Sequence, residues 1–186
     1  MRNEKVLVIG ACGQLGLELT AGLRALYGIS QVIASDISPI TPGLEGLPFE
    51  RLDATDSSAL EALVEKHGIT QIYHLAAILS AKGEANPLWA WNINMQALLN
   101  VLETARKHNL NKVYWPSSIA VFGEETPKEG TPQQAIMQPS TVYGISKLSG
   151  ELWCQYYFDK YGVDARSLRY PGLIGYKTLP GGGTTD

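Results

Sequence analysis

A four-residue apolar run, Val6 to Ile9, ends at Gly10-Ala-Cys-Gly13-Gln-Leu-Gly16, and leucines then recur at 15, 19, 23 and 26. A short apolar run stopped by glycine reads as a strand buried on both faces, and the leucine spacing reads as a helix. The same alternation continues along the chain. Strands are expected at 31–35, 49–52, 71–76, 113–115 and 165–170, and helices over 58–67, 87–108 and 141–161. Ser58 and Glu61 have the spacing of a capping box, and Leu88, Trp91, Met95, Leu98 and Leu102 mark one helical stripe. Residues 38–48, with three prolines and two glycines, read as a loop. Strands alternating with helices give an α/β fold. The expected form is a Rossmann-type doubly wound parallel sheet of six or more strands, with helices on both faces. It occupies one domain over 1–175, with 176–186 opening a substrate-binding segment whose C-terminal lobe is missing from this chain.

A chain of 186 residues can bury a full core, and 45% apolar with 18% charged residues is an ordinary globular composition. The net charge of −3 and the lack of a basic cluster argue against a nucleic-acid partner. Cys12 and Cys154 form no C-x-x-C pair, and with His67, His74 and His108 they show no metal-ligand spacing. No apolar run has the length of a membrane span or a signal peptide, so the expected location is the cytoplasm.

Gly10-x-x-Gly13-x-x-Gly16 opens the first helix. Glycines let the backbone turn tightly against a pyrophosphate, and a helix N-terminus offers N–H groups and partial positive charge. Gly10, Gly13, Gln14, Leu15 and Gly16 are therefore candidate dinucleotide contacts. Asp36, twenty residues past Gly16, suits the ribose hydroxyls of NAD and repels a 2′-phosphate; no arginine follows it closely. Asp53 follows the third strand, where it either meets adenine or caps a turn, and Ala54 contributes its backbone. The small residues of Leu75-Ala76-Ala77 let the central ribose and phosphates lie on the chain, above a His74 read as a packed core residue. Asn92 is the candidate for bridging strand ends from its helix, with Asn94 competing. Trp89 and Trp91 read as packing or interface residues.

Tyr143 and Lys147 lie four apart on a helix and share a face. A free tyrosine has a pKa of about 10, and a neighbouring ammonium lowers it, which would turn Tyr143 into a usable base. Ser117 and Ser118 end the fifth strand, on the side where parallel sheets place ligands.

Together, Gly10, Gly13, Gly16, Asp36, Ser118, Tyr143 and Lys147 resemble the extended short-chain dehydrogenase/reductase superfamily, also called the NAD-dependent epimerase/dehydratase family. Within it, His74 to Glu84, Pro116 to Gly123, and Arg169 to Gly172 with Pro180 to Asp186 are similar to the short-chain L-threonine 3-dehydrogenases. The resemblance implies NAD-dependent oxidation of the β-hydroxyl of L-threonine to 2-amino-3-oxobutyrate, and a homodimer. By the same resemblance Tyr143 takes the hydroxyl proton and Lys147 holds the nicotinamide ribose. Ser118 bonds the hydroxyl where relatives often carry threonine. Ser80, Thr184 and Thr185 line the substrate site, and Leu173 meets the carboxamide through its backbone. Residues 1–186 alone are expected to bind NAD and to be inactive. A nucleotide-sugar epimerase or dehydratase shares these motifs, although Ser118-Ile-Ala lacks the acidic pair of a dehydratase. A non-catalytic NAD sensor is the alternative of a different class.

Overall fold

The computed structural model describes residues 4–174. Thr184, Thr185 and the expected domain boundary at 175/176 lie outside the described residues. Six parallel strands form the main sheet: β1 (Val6–Ile9), β2 (Val32–Asp36), β3 (Phe49–Arg51), β4 (Gln71–His74), β5 (Lys112–Tyr114) and β7 (Ala165–Arg166), in the order β3-β2-β1-β4-β5-β7. Between β5 and β7 in sequence comes β6 (Ser117–Ser118), which pairs in parallel with β8 (Arg169–Tyr170) as a separate ribbon.

β1 sits at the centre because all four of its residues are buried. Its side chains alternate between two cores. Leu7 and Ile9 join the larger one, with Ile72, Leu98, Leu102, Val113 and Trp115, while Val6 and Val8 join the smaller one with Leu23, Val32 and Leu44. Helix α1 (Gln14–Tyr27) covers the smaller core; α2 (Ser57–His67), α4 (Pro87–Lys107) and α5 (Val142–Tyr161) cover the larger. The chain runs outward from β1 through β2 and β3, then crosses back to β4. That reversal opens a crevice at the carboxyl ends of β1 and β4, the place where open α/β sheets take ligands.

The doubly wound parallel sheet is as expected from the sequence, but four local expectations are corrected. The last strand is not continuous over 165–170. Pro116 has no N–H to give to the ladder, so pairing lapses and resumes when Ser117 N donates to Leu168 O at 2.8 Å. The capping box at Ser58 and Glu61 is not formed either. Asp56 caps α2 by accepting from Ala59 N at 3.0 Å, and Glu61 pairs instead with Lys107 at 2.8 Å. Both leucine stripes overrun the core: Leu26 is 72% and Leu88 77% exposed, because each sits in a terminal turn beyond the sheet. A short helix, α3 (Ser80–Ala85), lies between β4 and α4. Six residues are too few for a helical period to show in the sequence.

Gly150 on α5 lies against the indole of Trp115. A β-carbon there would come within 2.3 Å of the ring, whereas one at Gly22, exposed in α1, meets nothing within 4 Å. Gly150→Ala should therefore destabilise the fold by roughly 1–3 kcal/mol. Gly22→Ala should stabilise it by roughly 0.4–1 kcal/mol. Urea unfolding of the two variants checks this, and equal effects would contradict the packing described.

Candidate active site

At the crevice, the turn after β1 is shaped by two approaches that leave no room for a side chain. Gly10 has φ +86°, and a β-carbon on it would lie 2.6 Å from Ala76 N. One on Gly16 would lie 2.2 Å from Gly10 O. Gly13 differs, because its β-carbon would meet nothing nearer than Gly10 O at 3.4 Å. The fold tolerates alanine there, so the glycine keeps open the space above the turn. No side chain caps α1. Uncapped first-turn N–H groups beside open space form a seat for an anion such as a pyrophosphate.

The cavity above this turn measures about 810 Å³. It brings together Gly10, Gly13, Gln14, Leu15, Gly16, Asp36, Asp53, Ala54, Leu75, Ala76 and Ala77 with Ser80, Ser118, Tyr143, Lys147 and Leu173. Asp36 closes one end. Its Oδ2 accepts from Cys12 N at 3.0 Å and its Oδ1 from Ser38 N at 2.9 Å, which fixes the carboxylate and leaves further lone pairs for ribose hydroxyls. Arg51 stands beside Asp36 in strand register, a neighbour that sequence distance concealed, but it turns onto Ile37 O at 3.1 Å. Asp53 does cap a turn: its Oδ1 accepts from Thr55 N at 2.9 Å and from Thr55 Oγ1 at 2.7 Å while the residue lines the cavity. A dinucleotide fits this arrangement, with the open glycine turn, the anchored carboxylate and the small residues at the end of β4 along one trough.

Asn92 does not bridge the strand ends. It is exposed on α4, and Asn94, two residues on and turned to the buried side, holds the loop after β4 instead. Asn94 Oδ1 accepts from Ile78 N at 2.7 Å and its Nδ2 donates to Ile78 O at 3.0 Å. Asn100, which the sequence reading missed, donates to Ala54 O at 3.0 Å and Thr55 O at 2.9 Å. Asparagines set among the apolar residues of a buried helix were the available signal. α4 thus holds the loops after both β3 and β4 by their backbones. His74 is a packed residue. It is 1% exposed, neither ring nitrogen has a hydrogen-bond partner, and burial pushes its pKa down to about 3, so the ring is neutral.

At the other end of the cavity, Thr141 Oγ1 caps α5 by accepting from Gly144 N at 3.0 Å, which brings Tyr143 into the first turn. The Ser118 hydroxyl favours the ionised form of Tyr143, but burial is the larger cause and raises the phenol above its ordinary pKa. The expected lowering by Lys147 does not occur. Lys147 Nζ donates to Pro116 O at 2.6 Å and lies 4.3 Å from the centre of the Trp115 ring. Burial pushes its own pKa down to about 7, so at neutral pH much of its charge is lost. The unfolded chain keeps that proton up to about 10.5. Between those values the unfolded state binds more protons, so this group makes folding more favourable as pH rises from about 7. A ¹³Cε titration should place the Lys147 midpoint near 7, and Lys147→Met should remove this part of the rise in stability. A midpoint above 9 would contradict the burial described.

Among the described residues no cluster of three or more metal-ligating side chains forms, and no helix is long and apolar enough to cross a membrane. Comparison with known proteins gives a consistent result. The model of the NAD dependent epimerase/dehydratase family matches residues 6–185. An uncharacterized epimerase/dehydratase of Staphylococcus haemolyticus is 50% identical over 98% of this chain and 58% of its own length. Among solved structures, a partial consensus L-threonine 3-dehydrogenase superimposes with TM-score 0.94 at 59% identity, covering 97% of this chain and 58% of that one. The holo form of a GalE-like L-threonine dehydrogenase from Cupriavidus necator gives 0.95 at 57% identity, with coverages of 97% and 58%. The chain thus spans somewhat over half the length of these relatives. Its fold, its glycine turn and the match over nearly its whole length place it in the NAD-dependent epimerase/dehydratase family.

Proposed function

We propose that this chain is the cofactor-binding and proton-transferring part of an L-threonine 3-dehydrogenase. The observation that carries the reading is the meeting of Ser118, Tyr143 and Lys147 in the trough that holds the glycine turn. The 57% identity to a protein described as an L-threonine dehydrogenase favours threonine over a nucleotide sugar. NAD, when bound, supplies the hydride acceptor. The chain's own residues do the rest. Gly10, Gly13, Gln14, Leu15 and Gly16 seat the pyrophosphate, Asp36 takes the adenosine ribose, and Asp53 and Ala54 border the adenine. Leu75, Ala76 and Ala77 lie under the central ribose and phosphates, and Leu173 meets the carboxamide. Ser118 orients the β-hydroxyl of the substrate, and Tyr143 accepts its proton. Lys147 holds the nicotinamide ribose. Ser80, at the start of α3 on the cavity wall, meets the amino acid, together with Thr184 and Thr185.

In its native form the protein pairs with a second copy. Ile145, Leu152, Trp153 and Tyr156 form an exposed stripe along α5, with Leu152 64% exposed, and a second copy would cover it. Cytoplasmic threonine breakdown is the setting proposed for this activity.

Tyr143→Phe removes one hydroxyl and keeps the packed ring. In the intact protein it should lower kcat for L-threonine by roughly 10²- to 10⁴-fold, the usual contribution of a general acid or base, and leave NAD affinity nearly unchanged. NADH release measured with L-threonine and with UDP- and dTDP-sugars decides the substrate class. Turnover of a nucleotide sugar in place of threonine, or more than half the activity in Tyr143→Phe, would overturn the proposal.

A further inference from the structure

One stripe of α5 faces three consecutive residues at the active-site strand. Ser118 and Tyr143 line the same cavity, Pro116 O accepts from Lys147 Nζ at 2.6 Å, and Ser117 Oγ donates to Glu151 Oε1 at 2.5 Å. Tyr143, Lys147 and Glu151 follow one another at intervals of four, so they share a helical face. The first two belong to the proposed chemistry. Glu151 does not, and it is the most elaborately held of the three.

Arg169 grips both oxygens of Glu151, with Nε to Oε1 at 2.8 Å and Nη2 to Oε2 at 2.7 Å. The two side chains are only 14% and 18% exposed. A third Arg169 nitrogen, Nη1, donates to Gln133 O at 3.0 Å, and the guanidinium lies 5.2 Å from the centre of the Phe122 ring. Burial raises the Glu151 carboxyl, but the bonds from Arg169 and Ser117 together outweigh it and hold the group below its ordinary pKa. Arg169 is also the strand partner of Ser117, as Tyr170 is of Ser118. With two residues per strand, the β6–β8 ribbon is too short for its ladder alone to fix it. A planar, bidentate guanidinium–carboxylate contact sets orientation as well as distance, which a ladder this short cannot do. Neither Glu151 nor Arg169 lines the cavity, whereas Ser117 and Ser118 both do.

We propose that Glu151, set by Arg169, is a positioning residue for the Ser118–Tyr143 pair. It fixes residues 116–118 on α5, and so the distance between the two hydroxyl groups, without touching substrate or cofactor. The proposal rests on the dehydrogenase reading for its kinetic consequence only, because the geometry it claims lies between the chain's own residues.

Two measurements on the intact protein test it. In the first, Glu151→Gln should lower kcat for L-threonine roughly 10- to 100-fold, the scale of a misplaced reacting group, while NAD affinity stays within about twofold. Adding Ser118→Ala to that variant should cost little more, since the two changes remove the same alignment. Arg169→Lys, which keeps the charge and loses the fork, should fall between wild type and Glu151→Gln. Losses that multiply in the Glu151→Gln/Ser118→Ala variant would overturn the proposal. The second measurement needs no turnover. In protein labelled with [¹³Cζ]tyrosine, the Tyr143 signal is identified by its loss in Tyr143→Phe. At neutral pH it should move in the same direction in Ser118→Ala and in Glu151→Gln. A Tyr143 signal that moves in the first variant and stays put in a folded Glu151→Gln would sink the idea. If Glu151→Gln does not fold, Arg169→Lys is measured in its place with the same two outcomes. A protein that ignores threonine but shows the expected signal shifts would sink the substrate reading and leave the positioning role standing.

Discussion

The site depends on how closely the turn after β1 can approach the end of β4. Gly10 lies where a β-carbon would collide with Ala76 N, and Gly16 where one would collide with Gly10 O. Those approaches draw the N-terminus of α1 down to the sheet and align it with the small residues that follow β4. Asp36 is then locked to the turn through Cys12 N, so the two ends of this half of the trough are set by one backbone conformation. Gly13 lies between them without a steric need of its own, and this separates a glycine kept for a ligand from glycines kept for the fold.

The reactive half of the trough is built on a different principle. No short-range turn sets it; a helix face does. Lys147 and Glu151 hold residues 116 and 117 through a carbonyl and a hydroxyl, and Tyr143 lines the cavity beside Ser118. This half of the trough is electrostatically quiet. Tyr143 is held as a phenol by burial, and Lys147 sits near the point of losing its proton.

Features carried by neighbouring residues were legible in the sequence. The glycine turn, the strand-ending Asp36 and the Tyr143–Lys147 spacing all depend on local geometry, and each lands in the cavity. Features carried by distant pairs were not. Glu151 meets Arg169 across 18 positions and Ser117 across 34, and no spacing rule connects them. Asn92 and Asn94 lie within one turn of α4, and only the packed helix shows which faces inward. The α2 cap was misplaced by two residues because Asp56, Ser57 and Ser58 are all chemically able to cap, and the backbone chose Asp56. The last strand looked continuous because the break originates in Pro116, about fifty residues upstream on the partner strand.

Calorimetric titration of NAD into residues 1–186, wild type and Gly13→Ala, tests the account most directly. Alanine at the N-cap should change the melting behaviour of the free chain by no more than about 1 kcal/mol. The account predicts that the wild-type chain binds NAD and that the folded Gly13→Ala chain binds it at least about tenfold more weakly, because the new methyl fills the space kept for the pyrophosphate. Equal affinities in the two folded proteins, or no binding by the wild type, would contradict it.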